Sequence, residues 1–249
     1  MDLLSSHTAS ADAPSPGVTQ ALHLATSGGH VEIVGRLLKS RADVHGSETG
    51  KFQAIHVAAK DGHLAIVDLL VQSSAEVTAS DGEGVQPLHL AAERGHAPVV
   101  RLLVSRRASP GAAESSGLHV LHWASARGHL DVLEYLISER AELSDTEGPL
   151  QLQPIHWAAE YGQSLALNLL AAAQADVNAQ GAEKTSPLHL AASYGHAAAV
   201  RSLLRLKADA AVQDIRGERP VDIARRTGHR NVWSAFGSPS DSDSIDPTS

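Results

Sequence analysis

One short pattern, two apolar positions around a histidine and an alanine, recurs along this 249-residue chain at an almost constant interval. Ala21-Leu22-His23-Leu24-Ala25 returns as Ala54-Ile55-His56-Val57-Ala58 and Pro87-Leu88-His89-Leu90-Ala91. It returns again as Val120-Leu121-His122-Trp123-Ala124, Pro154-Ile155-His156-Trp157-Ala158 and Pro187-Leu188-His189-Leu190-Ala191. A seventh, altered copy is Pro220-Val221-Asp222-Ile223-Ala224, and the steps between copies are 33, 33, 33, 34, 33 and 33 residues. A second block keeps the same period: Gly29-His30, Gly62-His63, Gly95-His96, Gly128-His129, Gly162-Gln163, Gly195-His196 and Gly228-His229. A fixed period of this length is the mark of stacked supersecondary units, so the chain must fold as an array.

Each unit reads as two short antiparallel helices and a loop. In the third, Pro87 suits the first helical position, where no intrahelical partner waits for its missing N–H. Leu88, Ala91 and Ala92 then fall at i, i+3 and i+4, one face of a helix. Gly95 is placed to end that helix at positive φ. Pro98 lies early enough in the second helix to be tolerated, and Val99, Val100, Leu102 and Leu103 form its apolar face. One such unit cannot bury both sides of its helices, so stability must come from stacking. With aromatic residues at only 3%, the Ala pairs 58/59, 91/92, 158/159 and 191/192 are what lets the helices approach. The expected fold class is all-α: a solenoid of helix-turn-helix units with short hairpin loops.

The Pro-Leu-His-x-Ala blocks, the Gly-His turns and loop segments such as Gln174-Ala175-Asp176-Val177-Asn178-Ala179 resemble the ankyrin repeat. The resemblance covers residues 18–236, as seven repeats with the last one capping. It implies a non-catalytic module that binds a protein or peptide through a concave groove. The family's Thr before Pro-Leu-His is replaced by Gln20, Gln53, Gln86, His119, Gln153, Ser186 and Arg219. Only Ser186 keeps a hydroxyl, so the family's hydroxyl-to-His hydrogen bond is expected there and not in the other units. The one 34-residue step puts an extra residue in the loop around 144–149, whose tip should differ locally.

Outside the array, residues 1–17 read as a disordered polar lead-in and residues 237–249 as a disordered, acidic, Ser-rich tail. In the last unit Asp222 replaces His, and Arg225, Arg226 and Arg230 add the polarity of a cap. Trp233 stands where Val34, Val67, Val100, Leu133, Leu167 and Val200 stand earlier, and is expected to seal the end of the core. Trp123 and Trp157 replace Leu24, Leu90 and Leu190, with core filling as the first expectation and a ring edge in the groove as the second.

Composition narrows the chemistry. There is no cysteine, hence no disulfide, thiolate nucleophile or Cys-ligated metal, and none of the composition argues for a secreted protein. A net charge of −8 argues against a nucleic-acid partner. No apolar run approaches the length of a membrane span, and no leader or lipid-anchor signal is recognised, so an intracellular (cytoplasmic or nuclear) monomer without membrane insertion is expected. The 15 histidines raise the question of metal. Equivalent residues on helices about 8–10 Å apart cannot share an ion whose ligands stand at about 2.0–2.1 Å. They are assigned instead to structural hydrogen bonds at helix starts and turns, with no metal and no cofactor. No phosphate loop, nucleophile elbow or zinc helix is present, and the acid pairs Asp81/Glu83 and Asp145/Glu147 have the spacing of solvated hairpin turns. No catalytic residue is assigned, and an enzyme is not expected.

Three positions resemble modification sites: Asn178 in the ankyrin-loop motif of an asparaginyl hydroxylase, and Ser238 and Ser240, each with Asp three residues on. Asn178 also reads simply as a loop-closing residue. Surface positions of a solenoid are free to vary, so partner contacts are sought before each turn glycine. In the middle of the array these are Lys60, Asp61, Glu93, Arg94, Arg127, Glu160, Tyr161 and Tyr194, a mixture rich in the Tyr and Arg of interface hot spots. A different reading comes from the Leu-His-Trp-Ala units and the closing Gly-Glu-Arg-Pro-Val-Asp-Ile-Ala segment. They are similar to the ankyrin regions of Asp-His-His-Cys S-acyltransferases, which makes a substrate-recruiting relative without the catalytic membrane domain the alternative.

Overall fold

The computed structural model describes residues 16–47, 52–146 and 150–237. Of the expected lead-in 1–17, residues 1–15 lie outside them, while Pro16 and Gly17 open the first helix and so move the start of the array two residues earlier. Glu147 and the rest of 147–149 within the 144–149 loop, and Ser238, Ser240 and the rest of the tail, also lie outside the described residues. Fourteen α-helices run in seven pairs through the described residues. The pairs are α1 (Pro16–Ser27) with α2 (Val31–Lys39), α3 (Ala54–Lys60) with α4 (Leu64–Gln72), α5 (Pro87–Glu93) with α6 (Ala97–Ser105) and α7 (Val120–Arg127) with α8 (Leu130–Ser138). They continue as α9 (Pro154–Glu160) with α10 (Ser164–Ala172), α11 (Pro187–Ser193) with α12 (Ala197–Arg205) and α13 (Pro220–Arg226) with α14 (Arg230–Trp233). First helices pack on first helices and second on second, giving an inner and an outer layer with the core between them. Between units, short hairpins close through backbone bonds such as Glu114 N–H to Leu118 O (3.1 Å), and neighbouring hairpins join through Ser115 N–H to Glu83 O (2.9 Å).

The all-α solenoid is as expected, and so is its packing. Each of the four Ala pairs is fully buried where first helices meet. The second helices bury two adjacent positions apiece: Ile66/Val67, Val99/Val100, Val132/Leu133, Ala166/Leu167 and Ala199/Val200 are all at most 1% exposed. At the first unit only the second of the pair is covered, with Ile33 49% exposed and Val34 0%. At the last unit the order reverses, with Val232 at 0% and Trp233 at 36%. One position of each pair therefore faces the preceding unit and the other the following one. This corrects the assignment of Trp233 as the seal. No following unit covers it among the described residues, and the core is closed by Val232, with Ala235 and Phe236 of the 3-10 turn Ser234–Phe236 packed beside it.

The histidines explain the register of the stack. The backbone N–H before each first helix donates to Nδ1 of the His three residues on: Gln53 to His56, Gln86 to His89, His119 to His122, Gln153 to His156 and Ser186 to His189, at 3.1–3.2 Å. Nε2 then carries the proton and donates forward to the next unit, to Val85, Ala112, Leu152, Thr185 and Glu218 carbonyls at 2.9–3.2 Å. The missing threonines therefore matter little, because the backbone N–H supplies the cap bond; only Ser186 adds its hydroxyl, 2.8 Å from Nδ1. The turn histidines reach the other way. His63, His96, His129, His196 and His229 donate from Nε2 to Ser27, Lys60, Glu93, Glu160 and Ser193 carbonyls at 2.8–3.2 Å, and Gln163 does the same to Ala126 O at 3.0 Å. This close approach of the next unit's side chain is a reason for the turn Gly in units one to six: a Cβ on Gly95, already at φ +74°, would stand 2.5 Å from the His129 ring. Gly228 of the last unit has no such neighbour and keeps only its positive φ, +78°.

Candidate functional site

The inner helices present their last turn to the groove, and the turn-His bonds fix that last turn's carbonyls. Lys60, Glu93, Ala126, Glu160 and Ser193 are each held by a side chain of the following unit. So constrained a backbone loses little further freedom when a partner binds.

A pocket of about 220 Å³ opens at the middle of this row, lined by Glu93, Leu118, His122, Trp123, Ala126, Arg127, Trp157 and Tyr161. Trp123 and Trp157 are half-buried and belong to its walls rather than to the core, which corrects the first expectation for them and matches the second. Each indole meets the His of the preceding unit edge to face, Trp123 with His89 (centroids 6.2 Å) and Trp157 with His122 (6.4 Å). Tyr161 extends the wall, its ring lying parallel to Trp157 at 6.0 Å.

Of the eight positions expected to meet a partner, three line the pocket: Glu93, Arg127 and Tyr161. Arg127 Nη2 stands 2.7 Å from Glu93 Oε1, and Arg94 Nε 3.8 Å from the other carboxylate oxygen. The Glu93 side chain is 17% exposed, whereas those of Arg94 and Arg127 are 51% and 53% exposed. One sheltered carboxylate therefore braces two solvent-facing guanidinium groups. Glu160 and Tyr194 form a second pair, in the next two units. Burial pushes the Glu160 carboxyl above its usual range, while the hydrogen bond from Tyr194 acts in the opposite sense. Tyr194 is raised above its ordinary value, first by the charge of Glu160. Its ring is exposed and lies parallel to His196 at 6.4 Å. Lys60 and Asp61 sit apart, toward the first unit, where Asp61 accepts a 3.3 Å hydrogen bond from Ser27 Oγ.

Sequence reasoning passed over Leu118, His122 and Ala126 as lining residues. The available signal was Ala126 itself, a small residue where the units on either side carry Glu93 and Glu160.

The other polar positions serve the fold. Asp81 Oδ1 accepts the Glu83 and Val85 N–H groups, both at 2.8 Å, and so closes its hairpin. Asp145 stands 3.1 Å from Nδ1 of His119. Asn178 Oδ1 accepts the N–H of Asp209 in the next unit at 2.8 Å, the loop-closing role expected of it, here closing two loops together. Among the described residues no group of three or more His, Asp or Glu side chains stands where it could hold a metal ion, and no helix is long and apolar enough to cross a membrane. The buried first-helix histidines are neutral: desolvation lowers His89, His122 and His156 to about 4, and His56 and His189 are lowered for the same reason.

Two family models match this chain, ankyrin repeats (3 copies) over residues 2–81 and 55–147 and ankyrin repeats (many copies) over residues 169–224. No curated protein matches it. Among solved structures, the ankyrin repeat domain of Bcl-3, a member of the IkappaB protein family, is 26% identical with a TM-score of 0.70, covering 88% of this chain and 98% of that one. The human ASB11 ankyrin repeat domain is 22% identical with a TM-score of 0.76, covering 88% and 99%. Similarity at this level describes the scaffold.

Proposed function

Since the chain belongs to the ankyrin-repeat family, a family of protein-interaction modules, we propose that it is a non-catalytic scaffold or adaptor binding a polypeptide through its concave groove. The supporting observation is the half-exposed row Arg94, Arg127, Tyr161 and Tyr194 on successive units, of which Arg127 and Tyr161 line the central pocket and the two arginines are paired with Glu93. Tyr and Arg are the side chains most enriched at interface hot spots, and here they stand on rigid first-helix ends. Glu93, Glu160, Lys60 and Asp61 complete the contact surface in this reading, the last two at its edge. No feature of the groove favours the S-acyltransferase-related alternative.

The test is affinity capture of a partner from the native source, followed by binding of that purified partner to single variants. Tyr161→Ala, Arg127→Ala and Tyr194→Ala are each expected to weaken it by about tenfold or more, with circular dichroism confirming the fold. Wild-type binding by all three, together with loss on changing the hairpin residues Asp81 and Glu83, would overturn the groove in favour of the fingers.

A further inference from the structure

At the position two residues before the turn glycine, the units carry Ser27, Lys60, Glu93, Ala126, Glu160, Ser193 and Arg226. The fourth unit alone ends its side chain at Cβ there. The fourth and fifth units also carry Trp123 and Trp157 where the third and sixth carry Leu90 and Leu190. These departures meet in space. Ala126 leaves open the room that a Glu fills in the flanking units, and the two indoles heighten the walls on either side. At about 220 Å³ the pocket is smaller than the roughly 300–1,000 Å³ of small-molecule sites. It has room for one large branched or aromatic side chain.

The rim is charged unevenly. On the side of the third and fourth units, Arg94 and Arg127 share the single carboxylate of Glu93, leaving a net charge of +1 that is half exposed. The fifth and sixth units contribute the Tyr161 ring, in the pocket wall, and the exposed Tyr194, which is hydrogen-bonded to the half-buried Glu160 carboxyl.

We infer that the pocket takes one large apolar side chain of an extended polypeptide, and that Arg94 and Arg127 take an Asp or Glu close to it in that polypeptide. This rests on the groove reading and deepens it by naming the partner's chemistry. A carboxylate at the rim gains charge-assisted bonds from a guanidinium with capacity to spare, whereas a Lys or Arg there meets two cations. Adjacent inner helices lie about 8–10 Å apart and an extended chain advances about 3.3 Å per residue, so the acidic residue falls within about three positions of the anchor.

A random-peptide library selected against the full chain tests this directly, whatever the natural partner is. The enriched peptides are expected to share one Leu, Ile, Met, Phe or Trp with an Asp or Glu within about three positions on one side. A labelled copy of the best peptide is then titrated. Ala126→Glu installs the side chain the flanking units already accommodate, and should weaken binding by about tenfold or more without moving the thermal melt. Replacing the peptide's Asp or Glu by Asn or Gln should weaken binding to the wild type by about threefold or more, weaken binding to Arg127→Ala by less, and leave binding to the Arg94→Ala/Arg127→Ala double variant unchanged, the differences being the coupling a double-mutant cycle measures. In a Trp233→Phe background, saturation with the peptide should shift the emission of Trp123 and Trp157.

Enriched peptides that are basic, or that bind Ala126→Glu as they bind the wild type, overturn the inference; if Tyr194→Ala still weakens them, the groove reading survives. Peptides indifferent to both Ala126→Glu and Tyr194→Ala sink the groove reading as well. Failure to enrich any peptide also overturns the inference, since a preformed pocket with a charged rim must select.

Discussion

The interior units and the seventh differ at one residue that shows what the histidine is for. In units two to six the ring stands between two neighbours: Nδ1 accepts from the backbone before its own helix, and Nε2 donates to a carbonyl of the next unit. A neutral imidazole is the side chain that can accept at one end and donate at the other. In the seventh unit no next carbonyl follows among the described residues, and Asp222 takes the place of His. It accepts the Arg219 N–H at 3.1 Å and the Arg219 guanidinium at 2.8 and 3.1 Å. An acceptor alone suffices there. The repeat is thus written twice over, by apolar stacking and by a ring that fits only between two units.

The largest way to separate the two cases is acid. His89, His122 and His156 are held at about 4 against 6.5 for the free side chain, a difference of about 2.5 units. A group whose folded pKa is depressed binds more protons unfolded, so its stabilisation is present above 6.5 and is lost as pH falls toward 4. At about 1.4 kcal/mol per unit, each ring forfeits on the order of 3 kcal/mol, enough together to unfold an ordinary domain. Asp222 is lowered from 3.8, chiefly by its hydrogen bond from Arg219, so its cap should hold through that window and fail only below it. Amide hydrogen exchange between pH 6.5 and 4 is expected to lose protection at the His119 N–H well before the Arg219 N–H. Parallel loss at both sites would show that the two caps do not differ in this way.

Next in size is removal of the seventh unit. Deleting residues 220–249 uncovers Val200 and Leu188, whose equivalents Val34 and Leu22 are fully buried in the first unit, whereas deleting 238–249 leaves every described residue in place. Two such side chains represent about 3–6 kcal/mol of burial, which lowers the melting midpoint of a domain this size by roughly 10 °C. Equal midpoints for the two truncations would remove the seventh unit from its capping role. Trp233→Ala in the full chain tests the corrected assignment. With Trp233 36% exposed and Val232 fully buried, Val232→Ala is expected to be the more damaging of the two changes.

A single interior substitution is smaller again. His122→Ala leaves the His119 N–H and the Leu152 carbonyl without their partner in a site that is fully buried. Two such orphans cost roughly 2–6 kcal/mol. Asp222→Ala removes an exposed cap and should cost about 1 kcal/mol. Urea titrations of the two variants check the ratio; similar losses would mean that the forward bond contributes little.

The sequence carried more of this fold than of its site. Periodicity located both helices of every unit, the turn glycines and the altered last unit, because those features act within about thirty residues of chain and repeat. The destination of each Nε2 was not legible. Val85, Ala112 and Leu152 accept through backbone carbonyls, and a carbonyl has no letter in a sequence. Trp233 misled for a related reason. Its position in the repeat is apolar in every unit, but burial there requires a following unit, as Ile33 requires a preceding one. At the site, listing residues before each glycine found the charged and aromatic rim, while the pocket arises from what Ala126 lacks. Absence registers only when the units are read against one another.

The smallest expected effect concerns Ser186, the one residue that keeps a hydroxyl before its helix. Its Oγ lies 2.8 Å from Nδ1 of His189 and 3.4 Å from the His189 N–H, while its own N–H stands 3.1 Å from the same Nδ1. Units two, three and five manage with Gln and the backbone N–H alone, at 3.1–3.2 Å. If the backbone bond is the essential one, Ser186→Gln merely turns the sixth unit into a copy of the others, and stability should change by about 0.5 kcal/mol or less. The same substitution should leave hydrogen exchange at residue 186 as slow as at Gln153. A loss near 2 kcal/mol would instead show that the hydroxyl, and not the amide, orients His189 in this unit. The five interior histidines would then be held by two different devices, and the sharp contrast between them and Asp222 would become a gradient along the array.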